Sequence, residues 1–600
     1  MKPSWKPTQL SELGSVATVT IFVGPNAWKA AEERFNLSSS AVLMEATGNR
    51  DPLAAIDGDM NSQPPLVVGS KLLADPPALR RVALANESTK YVYLELQGPV
   101  SASHIRELIG VIATQAPGAE IFQDGQPMGE LVEIMNQAGV ISKPALSGAD
   151  LKAMGASEKA DLLLARYSGE LALDDASDDF FLYSGADWQP IADKVLRREL
   201  AKLYREAEAS YSAGAIAAVI ETMRLSVPVM ESPSRALIGF RNGVFDMSDR
   251  TFRNHNKTDW LTHSLDVDYV EAVADESLAK DAPNFYQWLN RVARGIGTAK
   301  NDRILAALFM VLANRYDWQL FLEVTGPGGS GKSVFAEVCT MLAGASNTTS
   351  ATIDAIENAR ERSALVGYSL AILPDQPRYM GDGAGLKAIT GGDSVMVDPK
   401  HKPPYSIRIP AVILAVNNNP MAFSDRSGGI SRRRVIFNFS EAVPEAERDT
   451  LLISKIAKEL PVIIRHLLSH FAVPELAKEQ LLAQQKSAEA LEIKREADSL
   501  VDFCSYLIAS TQTDGLYVGN ANISPMAPRR FLYHAYLTFM AGMAHQRPLS
   551  LTAFGKAMPY AMAEFGARYI KLRTKHGMRT NLDLNEDTAV DWICAAGGPP

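Results

Sequence analysis

The pattern of apolar and polar positions changes character several times along the 600-residue chain. Over residues 1 to about 145, short β-like runs ("TVTIFV", "KYVYLEL") alternate with helix-like ones ("SASHIRELIGVIATQ"), which predicts an α/β domain. From 150 to about 225 the period lengthens to that of a helix, and "LRRELAKLYREAEASYSAGAIAAVIETMRL" is its clearest amphipathic stretch. The segment "RNGVFDMSDRTFRNHNKTD" is rich in turn formers, with β-turns expected at Asn242-Gly243 and Ser248-Asp249. Helical pattern returns at 284–314, strand and helix alternate over 321–440, charged helices are expected over 441–495, and 498–600 reads as a small α+β module. The expected fold class is α/β, with boundaries at 1–148, 149–283, 284–495 and 496–600.

Composition narrows the class. With 46% hydrophobic and 22% charged residues the chain is of the globular type, and no apolar run reaches the ~18 residues of a membrane span. The opening "MKPSWKPTQLSELG" has no apolar secretory core, so a cytoplasmic location is expected. Cys339, Cys504 and Cys594 lie far apart, which argues against a disulfide framework or a zinc ribbon and favours oxygen ligands for any metal. The net charge of −9 gives no global basic field, so a nucleic-acid partner must meet local patches.

The chemistry concentrates in "FLEVTGPGGSGKSVFAE". Gly326, Pro327, Gly328, Gly329, Ser330, Gly331, Lys332 and Ser333 match G-x-x-x-x-G-K-[ST] between an apolar run and a helix-like one that begins with Val334. Glycines let backbone N–H groups converge on phosphate oxygens, the helix N-terminus adds its dipole, Lys332 would reach the outer phosphates, and the Ser333 hydroxyl would ligate Mg²⁺. An ATP site with Mg²⁺ is the expectation; the plainer reading is a glycine-rich turn with a surface lysine. "YSLAILPDQPRY" ends an apolar run at Asp375, a candidate for the metal shell, followed by Gln376 where many such ATPases carry glutamate. "AVILAVNNNP" ends another at Asn417, the first choice for orienting water or sensing phosphate, with Asn418 second. "SDRSGGISRRRVIFNF" offers Arg432, Arg433 and Arg434; an arginine near a neighbour's nucleotide supplies ~10³ to 10⁵ in rate, although an isolated run is more often a solvated face.

In this order within about 110 residues, the glycine loop, "LAILPDQ", "GGDSVMVDPKHKPPYSIRIPAVILAVNNNP" and "RRR" resemble the superfamily 3 helicases, most of all the alpha-type primase-helicases of phages, plasmids and satellite phages. "ALIGFRNGVFDM" and "HNKTDWLTHSLDVDY" are similar to the domain before that helicase core, and "RRFLYHAYLTFMAGMAHQRPLSLTAFGKAMPYAMAEFG" to its C-terminal winged-helix region, so the likeness covers about residues 155–600. The resemblance implies a P-loop ATPase core of the superfamily 3, AAA+-like type, with a helical domain before it and a winged-helix-like module after it. It implies a 3′ to 5′ DNA helicase, usually a homo-hexamer in a bacterial host, acting on single-stranded and duplex DNA with host replication proteins within reach. Residue by residue, the first ATP motif falls on Gly326 to Ser333, the acidic one on Asp375, the sensor on Asn417 and the finger on Arg432 or Arg433.

The resemblance also puts the tip of a DNA-touching hairpin at Lys400 and His401. The residues agree, since "VMVDPKHKPPYSIRI" is two strand-like runs around a basic, Pro-rich turn that would project Lys400, His401 and Lys402. At the C-terminus "RYIKLRTKHGMRTNLDL" concentrates Arg568, Lys571, Arg573, Lys575 and Arg579; Lys571, Arg573 and Lys575 are the chosen duplex contacts. In the N-terminal third, Asp57 with Asp59, and Glu95 with Asp124, Gly125 and Gln126, sketch metal-binding pairs of a primase or degenerate Toprim kind, but Asp-Gly pairs are common turn formers. The zinc module that often precedes such primases is missing, and primer synthesis is not expected. The leading expectation is thus an ATP-driven helicase; the alternatives are a bifunctional primase-helicase and an ATP-switched DNA-binding regulator.

Overall fold

The computed structural model describes residues 148–593 apart from 377, 378, 380, 545 and 546, and before residue 148 the backbone of six strands together with residues 108–109. The chain divides into two compact units, residues 1–159 with 198–219, and residues 160–197 with 220–600.

The first unit carries β1 (Thr18–Val23), β2 (Ala41–Glu45), β3 (Val67–Val68), β4 (Tyr91–Leu96), β5 (Glu120–Gln123) and β6 (Gln126–Pro127). They form one sheet in the order β3-β2-β1-β4-β5-β6, parallel except for the β5–β6 pair. The runs "TVTIFV" and "YVYLEL" are its two central strands. Such nearly continuous apolar and β-branched runs suit a parallel sheet.

The second unit opens with two antiparallel meanders, β7 (Leu171–Asp174), β8 (Asp179–Tyr183) and β9 (Trp188–Ile191), then β10 (Leu237–Phe240), β11 (Gly243–Asp246) and β12 (Thr251–Arg253). The expectation of helix over 150–225 fails for residues 171–191. The helical period in that window belongs to the flanking helices Ala156–Ala165 and Asp193–Glu206, while the Asp174 carboxylate accepts from the Ser177 amide at 3.0 Å and folds the strands back. The turns expected around Asn242-Gly243 and Ser248-Asp249 are where β10 meets β11 and β11 meets β12.

The centre of this unit is a five-stranded parallel sheet of β13 (Phe321–Thr325), β14 (Thr348–Ser350), β15 (Leu370–Pro374), β18 (Val412–Val416) and β19 (Arg434–Asn438), in the order β14-β15-β18-β13-β19. Side chains alternate between two cores. Leu322, Val324, Val412 and Leu414 face the helices Ala299–Leu312, Lys332–Ala343 and Leu452–His470; Phe321, Ile413 and Ala415 face Ile353–Glu357 and Ala384–Gly391. One polar exception is built in. Glu323 on β13 is fully buried, accepts from the Arg434 guanidinium at 2.6 Å and from the Met421 amide at 2.9 Å, and so ties β13, β19 and the chain after β18 together. Between β15 and β18 the chain throws out a hairpin of β16 (Ser394–Val397) and β17 (Tyr405–Arg408).

After β19 come the helices Leu452–His470, Pro474–Gln485 and Ala488–Ala497. The Glu459 carboxylate accepts from the amides of Asn284 (3.1 Å) and Phe285 (2.9 Å), capping the Pro283–Val292 helix from outside it. The C-terminal module has its own aromatic core around Phe503, Tyr536, Phe554 and Trp592, and carries β20 (Leu507–Ala509), the hairpin β21 (Lys571–Thr574) and β22 (Gly577–Thr580), and β23 (Leu582–Leu584). Among the described residues no helix is long and apolar enough to cross a membrane.

Candidate functional site

Register alone assembles the site. Val416 of β18 lies opposite both Val324 of β13 and Pro374 of β15, so the residues that follow, Asn417, Thr325 and Asp375, end their strands on one row. Backbone bonds lock that row, with the Asn417 amide donating to Val324 at 3.0 Å and the Asp375 amide to Val416 at 2.9 Å. The carboxyl edge of a parallel sheet is where such folds receive ligands. Here the glycine loop leaves β13 and enters the Lys332–Ala343 helix, with Gly326, Gly329 and Gly331 at φ of +140°, +79° and +96°. Side chains with a Cβ disfavour that region, so glycine supplies the bend of the loop.

Lys332 is buried and folds back over the loop, where its ammonium donates to the carbonyls of Gly326 (2.7 Å) and Pro327 (2.8 Å) and to Asn418 Oδ1 (3.0 Å). Burial lowers its pKa from the ordinary lysine value, and the charge of Asp375 opposes that drop. Ser333 is exposed at the helix start, and Val334 is half-buried behind it. Ser330 Oγ, Thr325 Oγ1, Asn417 Nδ2 and Trp288 Nε1 are buried without a partner. A glycine loop at a helix N-terminus, a lysine resting on carbonyls and unpaired polar atoms around it fit a polyphosphate. Asp375 has a φ of +41°, a strained value for a residue with a side chain, which the sheet holds in place at this edge.

The two asparagines divide the work. Asn418 touches Lys332, while Asn417 Oδ1 accepts from the Gln376 amide at 2.8 Å. Gln376 is itself fully engaged with main chain: its Oε1 accepts from the Ile353 amide (2.7 Å) and its Nε2 donates to the Pro374 carbonyl (2.8 Å). It therefore latches β15 to the start of the Ile353–Glu357 helix, with the side chain half-buried. Pattern reading missed Arg448, whose guanidinium lies against the glycine loop. A Cβ on Gly329 would stand 2.6 Å from its nitrogen, and the loop is tied to the same segment by the Val443 amide donating to Gly329 at 2.9 Å.

The three arginines have three different environments. Arg434 is bound to Glu323 in the core. Arg433 is also buried, donates to the Gly429 carbonyl at 2.8 Å, and has its pKa lowered by burial and by Arg432. Arg432 is exposed, and among the described residues its side chain has no hydrogen bond or ion pair. The basic hairpin tip is exposed at Lys400 and His401, while Lys402 is paired with Asp179 of β8 at 2.5 Å. Lys571 and Arg573 stand on β21 with Lys575 in the turn after it, all exposed. Arg579 is not free in the same way, since it donates to the Gly515 carbonyl at 3.0 Å and stacks on Tyr517. Asp57, Asp59, Asp124 and Gly125 lie outside the described residues, as does Cys594; Glu95 falls on β4 and Gln126 on β6.

Comparison with known proteins finds three families in succession. Residues 160–294 match a family described as D5 N terminal like, residues 324–434 a family of unknown function, and residues 495–593 a family described as poxvirus D5 protein-like. The chain is similar to phage and viral replication proteins of the helicase and primase kind. A protein of Acanthamoeba polyphaga mimivirus that bears a helicase name is 26% identical over 221 residues, covering 35% of this chain and 22% of that protein. An uncharacterised mitochondrial protein of Marchantia polymorpha is 29% identical over 106 residues, 17% of this chain and 64% of that one. The matches thus span about a fifth of the mimivirus protein and under two thirds of the Marchantia protein. Among solved structures, the origin-binding domain of phage P4 is 45% identical over 16% of this chain and 96% of its own, with a TM-score of 0.16. The C-terminal region of NrS-1 is 11% identical over 72% of this chain and all of its own, with a TM-score of 0.40.

Proposed function

We propose that this protein is an ATP-driven DNA helicase of superfamily 3 that works as a ring, most often hexameric, moves 3′ to 5′ and initiates replication of a phage, satellite or other mobile element. The observation that carries the reading is the meeting of Lys332, Asp375, Asn417 and Asn418 at one sheet edge around the glycine loop. Lys332 would exchange its loop carbonyls for phosphate oxygens, and the loop amides and helix N-terminus would hold the rest of the charge. Ser333 and Asp375 are the residues for Mg²⁺, which when bound neutralises phosphate charge during transfer. Asn417 positions water, with its partnerless Nδ2 as the donor. Arg448 lies on the loop of its own subunit and supplies a further cation there, whereas Arg432, exposed and unengaged, is assigned to the neighbouring subunit's nucleotide.

Two surfaces would meet DNA. Lys400 and His401 line the ring channel and touch the phosphates of a single strand. In the C-terminal, winged-helix-like module, Lys571, Arg573 and Lys575 form a basic wing, and the Leu551–Ala563 helix presents Thr552 and Lys556 near its N-terminus, the end that such helices turn to base edges. A second reading, an ATP-switched DNA-binding regulator with weak unwinding, is favoured by one observation, the engagement of Gln376 with main chain. Unwinding of forked duplexes with a 3′ or a 5′ tail, measured beside ATP turnover, separates the two. A helicase opens the 3′-tailed fork at a rate that follows hydrolysis; a regulator hydrolyses slowly and leaves both forks closed.

A further inference from the structure

The segment that carries the exposed arginine is held from outside the sheet. Residues 425–433 form the second half of the connection from β18 to β19, and their inner side is closed by Asp425, which accepts from the Ser427 amide (3.0 Å) and the Ile430 amide (2.9 Å). Their outer side rests on the C-terminal module. Ser431 donates its hydroxyl to the Glu564 carboxylate, just past the end of the Leu551–Ala563 helix, and the other oxygen of Glu564 accepts from Lys494 at 2.7 Å. Arg426 pairs with Asp498. Tyr560 lies on Gly428, where a Cβ would stand 2.8 Å from the ring and where φ is +73°, so only glycine suits both the bend and the contact. A cavity of about 80 Å³ lies between them, lined by Phe423, Ile430, Tyr560 and Ala561 among others.

We propose that Glu564 is a positioning residue for Arg432. Ser431 precedes Arg432, and the three-residue turn Ser431–Arg433 is short enough that fixing the serine hydroxyl fixes the direction in which the next side chain leaves. The helix that ends at this contact is also the one that turns its other end to duplex DNA, so the module assigned to DNA holds the arginine assigned to the neighbour's nucleotide. The inference rests on the reading of Arg432 as the group that acts between subunits.

Ser431→Ala tests it with little risk to folding, since it removes one hydroxyl and buries no new charge. Glu564→Ala removes the same contact but strands the buried Lys494 ammonium, and Glu564→Gln keeps an acceptor for Ser431. In the assembled full-length protein, Ser431→Ala and Glu564→Ala should lower kcat for ATP about tenfold with KM changed less than about twofold, and Glu564→Gln should keep at least about half of wild-type kcat, because an orientation fault in trans slows hydrolysis without weakening nucleotide binding. Mixing Ser431→Ala with Lys332→Ala should restore activity, as mixing Arg432→Ala with Lys332→Ala should. Unchanged kcat in Ser431→Ala, or a loss that mixing fails to restore while the Arg432→Ala mixture recovers, overturns the positioning role alone. If the Arg432→Ala mixture itself stays inactive with subunit exchange confirmed, the reading of Arg432 falls and the proposal falls with it.

Discussion

Replacing Gln376 by glutamate turns one NH₂ group into an oxygen, and the neighbouring atoms decide what that oxygen meets. One carboxylate oxygen keeps the Ile353 amide, now at 2.7 Å from Oε1. The other takes the place of Nε2, 2.8 Å from the Pro374 carbonyl, so a hydrogen bond becomes an oxygen–oxygen contact. Losing that bond at a solvent-exposed carbonyl costs about 0.5–1.5 kcal/mol. The strain is released by moving the side chain out of its latch, which shifts the main chain whose amide donates to Asn417 at 2.8 Å. If the same free energy is lost from the transition state, kcat for ATP falls roughly 2- to 12-fold, since each 1.4 kcal/mol is about tenfold. Steady-state hydrolysis with Mg²⁺ measures the rate, and hydrogen exchange at the Ile353 amide reports whether the latch has opened. A rise in kcat of tenfold or more would instead mean that position 376 faces the attacking water and a base there is used.

Three further outcomes follow from the site and its surroundings. Arg448→Ala should weaken binding of a non-hydrolysable ATP analogue about tenfold in the isolated subunit, as loss of one charge-assisted contact requires, and fluorescence titration below the assembly concentration reads it; unchanged affinity removes Arg448 from the site. Lys400→Ala with His401→Ala should preserve basal ATP turnover but abolish its stimulation by single-stranded DNA, and an equal loss of basal turnover in assembled protein counts against the hairpin role. Changing Lys571, Arg573 and Lys575 to alanine should weaken duplex binding across sequences and flatten the salt dependence by about one unit per lost phosphate contact, with ATP turnover retained; an unaltered salt slope contradicts the wing assignment.

What could be read from sequence is what is local. The glycine loop, Asp375 and Asn417 each end an apolar run, so the pattern that marks the strand also marks the row on which they meet. Residues 171–191 carry a helix-like pattern in sequence because the two helices on either side set the period of the window. Contacts across long stretches of chain leave no periodic trace: Lys402 and Asp179 are 223 residues apart, and Ser431 and Glu564 are 133 apart. Sequence left Arg432 and Arg433 as alternatives for the finger, and only the buried surroundings of Arg433 separate it from the exposed Arg432. Gln376 looked like a departure from an active-site glutamate; its bonds to Ile353 and Pro374 give it a different occupation.

If the glycine loop binds and hydrolyses ATP to drive DNA unwinding, Lys332→Ala should abolish both activities. The change removes a buried ammonium that holds the loop carbonyls and Asn418. ATP turnover should be measured with and without single-stranded DNA, in wild type and in a variant whose circular dichroism and duplex binding are unchanged. The expected result is DNA-stimulated turnover in the wild type and a loss of at least about a hundredfold in the variant, together with its unwinding. Wild-type turnover by a correctly folded Lys332→Ala protein would contradict the account.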